Sequence, residues 1–282
     1  MTGPTVRARQ LGIGLARLRK DAGVTQREAA ATIECSQAKM AQLEAGRGPV
    51  RRPELIVLLQ HYRVDQTVID QMDELRLEAS KRGWWATYGL PDWLADYVGL
   101  ENDATRVRSF ELELIPGLLQ VESYIREVHV LRGNGLSAQA IDTRVTTRLQ
   151  RQARLSATVN PLKLSAVVSQ SALQRCIAQP DSVSAAALRH LRDRAQLANV
   201  QLRILPFEFG RHSGMSGAFT LLDFPHGLLP PIAWQEYAMG GHIVDDSPVV
   251  EGLGKLYDAV CNQALTEDES LALIVDLIGS IH

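Results

Sequence analysis

The sequence predicts two domains of different fold class, an all-α domain of five helices at the N-terminus and an α+β domain after it. Up to about residue 80, apolar residues recur at helical spacing, as in Leu11, Leu15 and Leu18. Later stretches, such as 107–114 and 200–206, alternate between apolar and polar residues, which is typical of strands. Charge divides the chain in the same way. Residues 1–63 hold eleven Lys and Arg against five Asp and Glu, a net +6, so the remainder carries −8 of the total −2.

Residues 25–46 contain the signals of two short helices joined by a tight turn. Thr25 is followed three residues later by Glu28, a capping box that predicts a helix start. Ser36 is a good N-cap for a second helix, which Gly46 can close in a left-handed conformation. Two helices this short with a two-residue turn predict a helix-turn-helix.

The second of these helices has one apolar and one polar face. Met40 and Leu43 fall on its inner face, and Gln37, Ala38, Lys39 and Gln42 fall on its outer face. Amide groups can pair with the edge of adenine, an alanine methyl can contact that of thymine, and a lysine can bind phosphate. The alternative is an ordinary helical hairpin whose polar face is only solvated.

The stretch resembles the XRE-type helix-turn-helix family, the relatives of phage repressors. The residues that carry the resemblance are Gln26, Ala30, Cys35, Met40, Leu43, Glu44 and Gly46, with Leu15, Leu18 and Arg19 before them and residues 52–55 after them. The match covers roughly residues 8–65. One position departs from the family pattern, because Glu34 stands where Gly is usual, and a left-handed backbone there strains a residue with a side chain.

The resemblance implies that Ser36, Gln37, Ala38 and Gln42 face bases, while Gln26 holds a phosphate and braces the recognition helix. Several basic residues near the end of the motif suit phosphate contacts, although surface charge without a partner is the alternative. The full set expected to contact DNA is Gln26, Arg27, Ser36, Gln37, Ala38, Lys39, Gln42, Arg47, Arg51 and Arg52.

The predicted first and fifth helices of the first domain cover about 10–22 and 65–81, and the three between them begin at Thr25, Ser36 and Pro53. A loose arm is expected over residues 1–9. An aromatic segment then changes the composition, because three of the four Trp lie between residues 83 and 97. Packing between domains is favoured over a stacking platform for single-stranded nucleic acid. The predicted domains are therefore 1–80, an inter-domain segment 81–97, and 98–282.

The second domain is predicted to be α+β, with a mixed sheet and flanking helices. Its predicted strands are 107–114, 162–168, 200–206, 218–224 and 232–237. Its predicted helices are 121–131, 138–155, 172–177, 183–198, 248–264 and 267–281.

This half resembles the C-terminal domain of an actinobacterial group of antitoxin-like XRE regulators. The matching residues are Tyr97, Leu100, Glu101, Glu113, residues 116–120, Tyr124, Arg151, Gln152, residues 205–207, His212, Gly214, Met215, Gly217 and Phe219. The resemblance implies that the domain engages a small partner protein encoded nearby. Relatives often have an acidic residue where this chain has Gln170.

The loop 210–217 combines His, Ser and Gly, but neither Ser213 nor Ser216 has the frame of a nucleophile elbow. We therefore predict no catalytic residues and no enzyme. His212, Met215 and Glu236 are the candidate contacts for a ligand or partner, and a plain surface loop is the alternative. The dispersed His residues and three distant Cys predict neither a metal site nor a disulfide framework, and no cofactor is expected.

The sequence thus predicts a sequence-specific DNA-binding transcription regulator that binds a double-stranded operator as a homodimer. Two alternatives stay open, an antitoxin-like module that sequesters its partner and autoregulates, and a regulator that responds directly to a small molecule. No apolar run is long enough to span a membrane, and a cytoplasmic, nucleoid-associated protein is expected.

Overall fold

The computed structural model describes residues 6–80, 83–131, 135–178, 181–225 and 230–281. The chain divides into two compact units, Met1–Asp103 with Pro225–Pro230, and Ala104–Phe224 with Pro231–His282. The first unit is helical and the second has a mixed sheet with flanking helices, so the predicted fold classes are confirmed. Among the described residues, no helix has the length and apolar character needed to cross a membrane.

Six α-helices form most of the first unit as far as the structure describes it. They are α1 (Val6–Asp21), α2 (Gln26–Thr32), α3 (Gln37–Glu44), α4 (Arg52–His61), α5 (Gln66–Ala79) and α6 (Asp92–Asp103). The expected loose arm over residues 1–9 is wrong from Val6 onward, and residues 1–5 lie outside the described part of the chain. The first turn of α1 is fixed because Arg7 Nε donates to Asp103 Oδ2 at 2.9 Å.

The first five helices enclose one apolar core. Leu15, Met40, Leu55, Leu58 and Met72 are fully buried in it. Each comes from an apolar face that the helical spacing predicts. The core packs α1, α4 and α5 against α2 and α3, the two helices of the motif. The core therefore fixes how α2 and α3 are presented on the surface.

The aromatic segment forms a short 3-10 helix, Trp84–Thr87, followed by α6. The Trp84 ring packs edge-on against Trp85 and Tyr88, with both centroid distances 5.7 Å, and its Nε1 donates to Asn102 Oδ1. Helix α6 is absent from the sequence prediction, which treated residues up to 97 as a connecting segment. The first compact unit ends after Asp103, within the range that the prediction assigned to the second domain.

The second unit contains a six-stranded sheet in the order β3-β2-β1-β4-β5-β6. The strands are β1 (Arg106–Glu111), β2 (Lys163–Ser169), β3 (Val200–Leu205), β4 (Phe219–Asp223), β5 (Ile232–Tyr237) and β6 (Gly240–Val244). Strands β1, β2 and β3 are parallel, while β4 runs antiparallel to β1 and the β4–β5 and β5–β6 pairs are antiparallel.

Five strands match the prediction closely, and β6 is the one that the sequence analysis missed. Its two glycines, Gly240 and Gly241, weaken any strand pattern. Gly241 is needed there because a Cβ would lie 2.1 Å from Cζ2 of Trp234. The missing side chain lets the Trp234 indole lie over the edge of the sheet.

In the described part of the second unit, six α-helices flank the sheet. They are α7 (Glu122–Leu131), α8 (Ala138–Gln152), α9 (Gln170–Ala178), α10 (Ser182–Ala195), α11 (Ser247–Gln263) and α12 (Glu267–Gly279). Helix α11 covers the face of the sheet that carries Phe110. Val250 and Tyr257 of this helix pack against the strands, and Tyr257 Oη donates to Ser165 O at 2.8 Å. Helices α9 and α10 pack against β2 and β3, and α7 and α8 pack together.

The outer edge of β3 is covered by the end of the chain. Ile204 N donates to Ser270 Oγ of α12 at 2.8 Å, and Leu265 N donates to Ile204 O at 2.9 Å. Ser270 is buried, and these two bonds take the place of a further strand.

Candidate nucleic-acid interface

Two polar side chains set where the helices of the motif begin. Thr25 Oγ1 accepts from Glu28 N at 3.2 Å, and Glu28 Oε2 accepts from Thr25 N at 2.8 Å, which completes the predicted capping box. The bond from the Thr25 backbone holds the pKa of the Glu28 carboxyl below its usual range. Ser36 Oγ accepts from Lys39 N at 3.1 Å and caps α3. Both starts are therefore encoded locally.

The turn between the helices keeps the left-handed conformation without a glycine. Glu34 has a φ of 52°, and Cys35 N donates to Ala30 O at 2.9 Å. The backbone thus adopts the geometry that Gly usually supplies, at the cost of strain on a residue with a side chain. At the other end of α3, Gly46 has a φ of 69°, and a Cβ there would lie 2.5 Å from the Cα of Arg9.

A buried polar cluster fixes α2 and α3 against α1. Arg19 Nε donates to Glu44 Oε1 at 2.6 Å, and Gln26 Nε2 donates to Glu44 Oε2 at 2.8 Å. Arg19 also donates to Val24 O at 2.7 Å. The predicted bracing role of Gln26 therefore has a partner, Glu44, which carries the family resemblance but was given no role by the sequence analysis.

Tyr62 packs beside this cluster without joining its hydrogen bonds. Its hydroxyl is buried and has no partner among the described residues. Burial, helped by the nearby Glu44 carboxylate, raises the pKa of Tyr62 well above its usual value. The phenol therefore stays neutral beside the Arg19–Glu44 pair.

Helix α3 presents a polar face to solvent. The inner residues Met40 and Leu43 are buried, while the outer residues expected to face DNA are exposed; these are Ser36, Gln37, Ala38, Lys39 and Gln42. The exposed set includes two amides and one methyl group within two turns of helix. Such a face has the donors, acceptors and apolar contact that base edges in a major groove require.

Three of the expected phosphate contacts are arginines outside any ion pair in the described part of the chain. Arg27, at the start of α2, and Arg47 and Arg51, between α3 and α4, are exposed. None of the three forms an ion pair with any residue that the structure describes. Their positive charge is therefore directed to solvent around the polar face of α3.

The two other basic residues of the expected set are engaged within the unit. Lys39 Nζ lies 2.9 Å from Glu54 Oε1, and Arg52 Nε lies 2.7 Å from Asp73 Oδ2. The bond from Arg52 lowers the pKa of the Asp73 carboxyl, which also accepts from Arg76. The side chains of Lys39 and Arg52 are largely exposed, so each ion pair is weak. Either cation could therefore leave its carboxylate for a phosphate.

The candidate contacts in the second unit do not form one cluster. The His212 ring lies edge-on to Phe110 at 6.0 Å between centroids, and its Nδ1 is buried without a partner among the described residues. Met215 is 63% exposed in the following loop. Glu236 is exposed near the end of β5, and its charge acts on the carboxyl of Glu111 in β1. The sequence analysis did not single out Glu111.

Several motif residues of the second unit have structural roles. Arg148 Nη1 donates to Gln120 Oε1 at 2.5 Å, and Gln152 Nε2 donates to the carbonyl oxygens of Gly117 and Gln120. These bonds join the 117–120 turn to α8. Gln170, which stands where relatives often have an acid, is buried, and its Oε1 accepts from Phe207 N at 2.9 Å.

The helical fold, the capped turn and the exposed polar face of α3 define a DNA-binding protein of the helix-turn-helix class. In agreement, the family described as a helix-turn-helix domain matches residues 10–72. A second family, described as a domain of unknown function (DUF5753), matches residues 94–276, which is more than half of the chain. The chain therefore belongs to this DUF5753 family. Comparison with curated proteins gives no match, and comparison with solved structures gives none either.

Proposed function

We propose that this DNA-binding regulator is of the XRE type and binds its operator as a homodimer, with α3 of each copy in a major groove. The observation that carries the proposal is the division of α3 into a buried apolar face and an exposed face of amides and alanine. Two-fold symmetric operators are the common targets of dimeric helix-turn-helix proteins. The expected operator is therefore a palindrome.

In this proposal, base contacts and phosphate contacts come from different residues. Gln37, Ala38 and Gln42 contact base edges, while Ser36 caps the helix and lies at its entry to the groove. The phosphate contacts come from Gln26, Arg27, Lys39, Arg47, Arg51 and Arg52. Gln26 keeps one amide hydrogen for a phosphate, since the other is donated to Glu44.

Lys39 and Arg52 exchange their carboxylate partners for phosphates on binding. Both bonds lie at the surface, and the charge of a nearby phosphate replaces that of Glu54 or Asp73. The exchange leaves two carboxylates near DNA, which reduces the net gain from each contact. Arg27 and Arg47 exchange no carboxylate partner, so we expect them to contribute more to affinity.

The second unit, in this proposal, senses or binds a small partner protein encoded near the regulator, and an antitoxin-like module that sequesters this partner is the alternative. Exposed apolar side chains at one end of the sheet support an interaction role, with Phe207 at 55%, Met215 at 63% and Met239 at 85% exposure. His212, Met215 and Glu236 are the expected contacts. The chain acts on DNA in the cytoplasm, associated with the nucleoid, without being an enzyme and without a cofactor.

Selection of genomic fragments by the purified protein tests the proposal at near-physiological salt, with and without the small protein encoded next to it. A palindrome enriched by the protein alone supports operator binding by a dimer. If fragments are enriched only in the presence of the partner, DNA binding requires the complex of the second unit with the partner. If adding the partner abolishes the enrichment, the partner removes the regulator from DNA. The absence of enriched fragments in both conditions contradicts operator binding and favours sequestration.

A small-molecule regulator is the second candidate, because Glu111 in the second unit is only partly exposed and burial raises the pKa of its carboxyl to about 8. Thermal unfolding with a panel of metabolites separates the two candidates. Stabilisation of the second unit by one compound supports direct sensing. Co-purification of the neighbouring gene product with no stabilising compound supports the partner protein.

A further inference from the structure

The two edges of the six-stranded sheet differ in what covers them. At the β3 edge, Ile204 N donates to Ser270 Oγ, and Ile204 O accepts from Leu265 N. At the opposite edge, β6 pairs with β5 on one side only. In the part of the chain that the structure describes, no hydrogen bond reaches the outward backbone groups of β6. The β6 edge is therefore open in the single chain.

The residues of β6 leave this edge able to pair. Edge strands that avoid pairing commonly carry Lys or Pro, or contain a bulge that twists the edge away. Strand β6 has the sequence GGHIV, without Lys or Pro. Its register with β5 runs without a bulge from Tyr237↔Gly240 to Ala233↔Val244. A straight strand of this composition can accept a further strand at its free side.

We propose that β6 is the homodimer interface and pairs antiparallel with β6 of a second copy, about a two-fold axis at His242. An antiparallel edge strand is complementary to itself, because each bond that one copy makes is returned by the other. The inference rests on the proposed function, which requires a two-fold dimer but does not name the surface that forms it.

The axis at His242 gives the longest overlap of the two strands. All five residues then pair, with Gly240 opposite Val244 of the second copy and Gly241 opposite Ile243 of the second copy. Each glycine thus faces a β-branched side chain, which avoids crowding on both sides of the axis. Asp245 follows the strand and falls beside Met239 of the second copy, so the two Asp245 carboxylates do not face each other.

On one face of the sheet, this pairing extends an aromatic contact. The rings of Tyr237 and His242 lie 6.3 Å apart between centroids, and Tyr237 is 56% exposed. Across the axis, His242 faces His242 of the second copy, with the two Cβ atoms about 4.5–5.5 Å apart. The Tyr237 and His242 side chains of both copies then form a row of four rings, which covers aromatic surface that the single chain leaves exposed.

On the other face, the pairing meets an indole. The Trp234 ring lies over Gly241, because a Cβ at Gly241 would be 2.1 Å from Cζ2 of Trp234. Ile243 pairs with Trp234 within the sheet of one chain and is partly exposed. Ile243 of the second copy, opposite Gly241, would lie beside the same indole. The dimer therefore gains apolar contacts on both faces of the joined sheets.

Sedimentation velocity of the full chain without DNA, at concentrations up to about 100 μM, tests the interface. We expect a dimer. His242→Lys and His242→Glu each place like charges directly opposite each other, so each should weaken the association at least about fivefold. An equal mixture of these two variants places opposite charges across the axis and should restore the association to within about twofold. Gln201→Lys and Gln201→Glu, at an exposed position of the other edge strand, are the matched controls and should change nothing.

Restoration of the dimer by mixing the two charged variants supports the proposal. A chain that stays monomeric overturns it. It is also overturned by association that His242→Lys and His242→Glu leave unchanged, or that their mixture does not restore. These results are distinct from a failure of the proposed function, because fragment selection measures operator binding separately. A palindrome selected by a chain that dimerises unaltered by both His242 variants would retain operator binding and overturn only this interface.

If circular dichroism shows that neither His242 variant folds, amide hydrogen exchange of the unaltered chain decides. Protection of residues 240–244 that increases with protein concentration supports the interface, and protection that is independent of concentration overturns it. Protection that increases only when the small protein encoded next to the regulator is added also overturns self-pairing, and it assigns the β6 edge to that protein.

Discussion

Arg19 of α1 and Glu44 of α3 form a buried ion pair with two parallel bonds, from Nε to Oε1 at 2.6 Å and from Nη2 to Oε2 at 3.1 Å. Their side chains are only 9% and 6% exposed. Because Glu44 also accepts from Gln26, this one carboxylate joins three helices. The orientation of α3 on the surface therefore depends on a pair that does not itself face DNA.

Removing one partner of this pair should destabilise the helical unit. Arg19→Met leaves the Glu44 carboxylate buried without its cation, and we expect a loss of about 3 kcal/mol in the free energy of unfolding. Urea denaturation followed by circular dichroism measures it. The control is Arg17→Met, since Arg17 and Asp21 are both exposed and 3.8 Å apart, with an expected change below about 0.5 kcal/mol. Equal changes in the two variants would show that the buried pair contributes little.

Gln37→Ala should weaken operator binding by about 1–3 kcal/mol and relax the preference at one base pair. The reason is that Gln37 is exposed on the outer face of α3, where its amide can pair with a base edge. Affinities for the operator and for its single-base variants measure the effect. Gln60→Ala, at an exposed position of α4, is the control. A uniform loss on every sequence would contradict base readout by Gln37.

Arg47→Ala should weaken binding to all sequences alike and reduce the slope of log affinity against log salt by about 0.9. Arg47 is exposed and has no carboxylate partner among the described residues, so its charge is available to a phosphate. Affinity measured over a range of salt concentrations gives the slope. Arg192→Ala, which removes an exposed arginine paired with Asp193 in α10, should leave the slope unchanged. An altered base preference with an unchanged slope would argue against a phosphate contact.

Glu111→Gln should stabilise the chain at alkaline pH. The pKa of Glu111 in the folded chain, about 8, lies above its ordinary value of 4.5. The contribution of the protonated Glu111 carboxyl to the free energy of unfolding is therefore fully present below about pH 4.5 and is lost as the pH rises through about 8. Gln has no charge to desolvate, so we expect a gain on the order of 2 kcal/mol near pH 8.5 and little change near pH 4.5.

Thermal or urea unfolding of the second unit across this pH range measures the effect of Glu111→Gln. Glu113→Gln should leave the pH dependence as it is in the unaltered chain, because its carboxylate is exposed. A pH profile that Glu111→Gln does not alter would mean that Glu111 is ionised in the folded chain at neutral pH.

The helix-turn-helix was predictable because its signals are local. The cap by Thr25, the cap by Ser36 and the closing Gly46 each act within a few residues, and the structure has all three. The same locality helps to explain the fold-class prediction for the second unit, where the stretches that form β1 and β3 alternate between apolar and polar residues. Whether the predicted residues contact DNA depends on a partner molecule, so those contacts stay predictions.

The placement of Glu111 and Glu236 on one face of the sheet was not predictable from the sequence. Glu111 and Glu236 lie 125 positions apart in the chain, and only the order β1-β4-β5 brings them to one face. Helix α6 was missed for a different reason. Its first residues belong to the aromatic-rich stretch that was predicted to be a connecting segment. Its start after Pro91 is a helix signal that the sequence analysis did not use.

The bonds from Ile204 to Ser270 and Leu265 have a consequence for the behaviour of the chain in solution. They occupy the outward amide and carbonyl groups of Ile204, in an edge strand that could otherwise offer them to a second sheet. A chain shortened before α12 would keep Leu265 but lose Ser270, so the Ile204 amide would become available for intermolecular strand pairing. We therefore expect truncation of the last helix to favour aggregation.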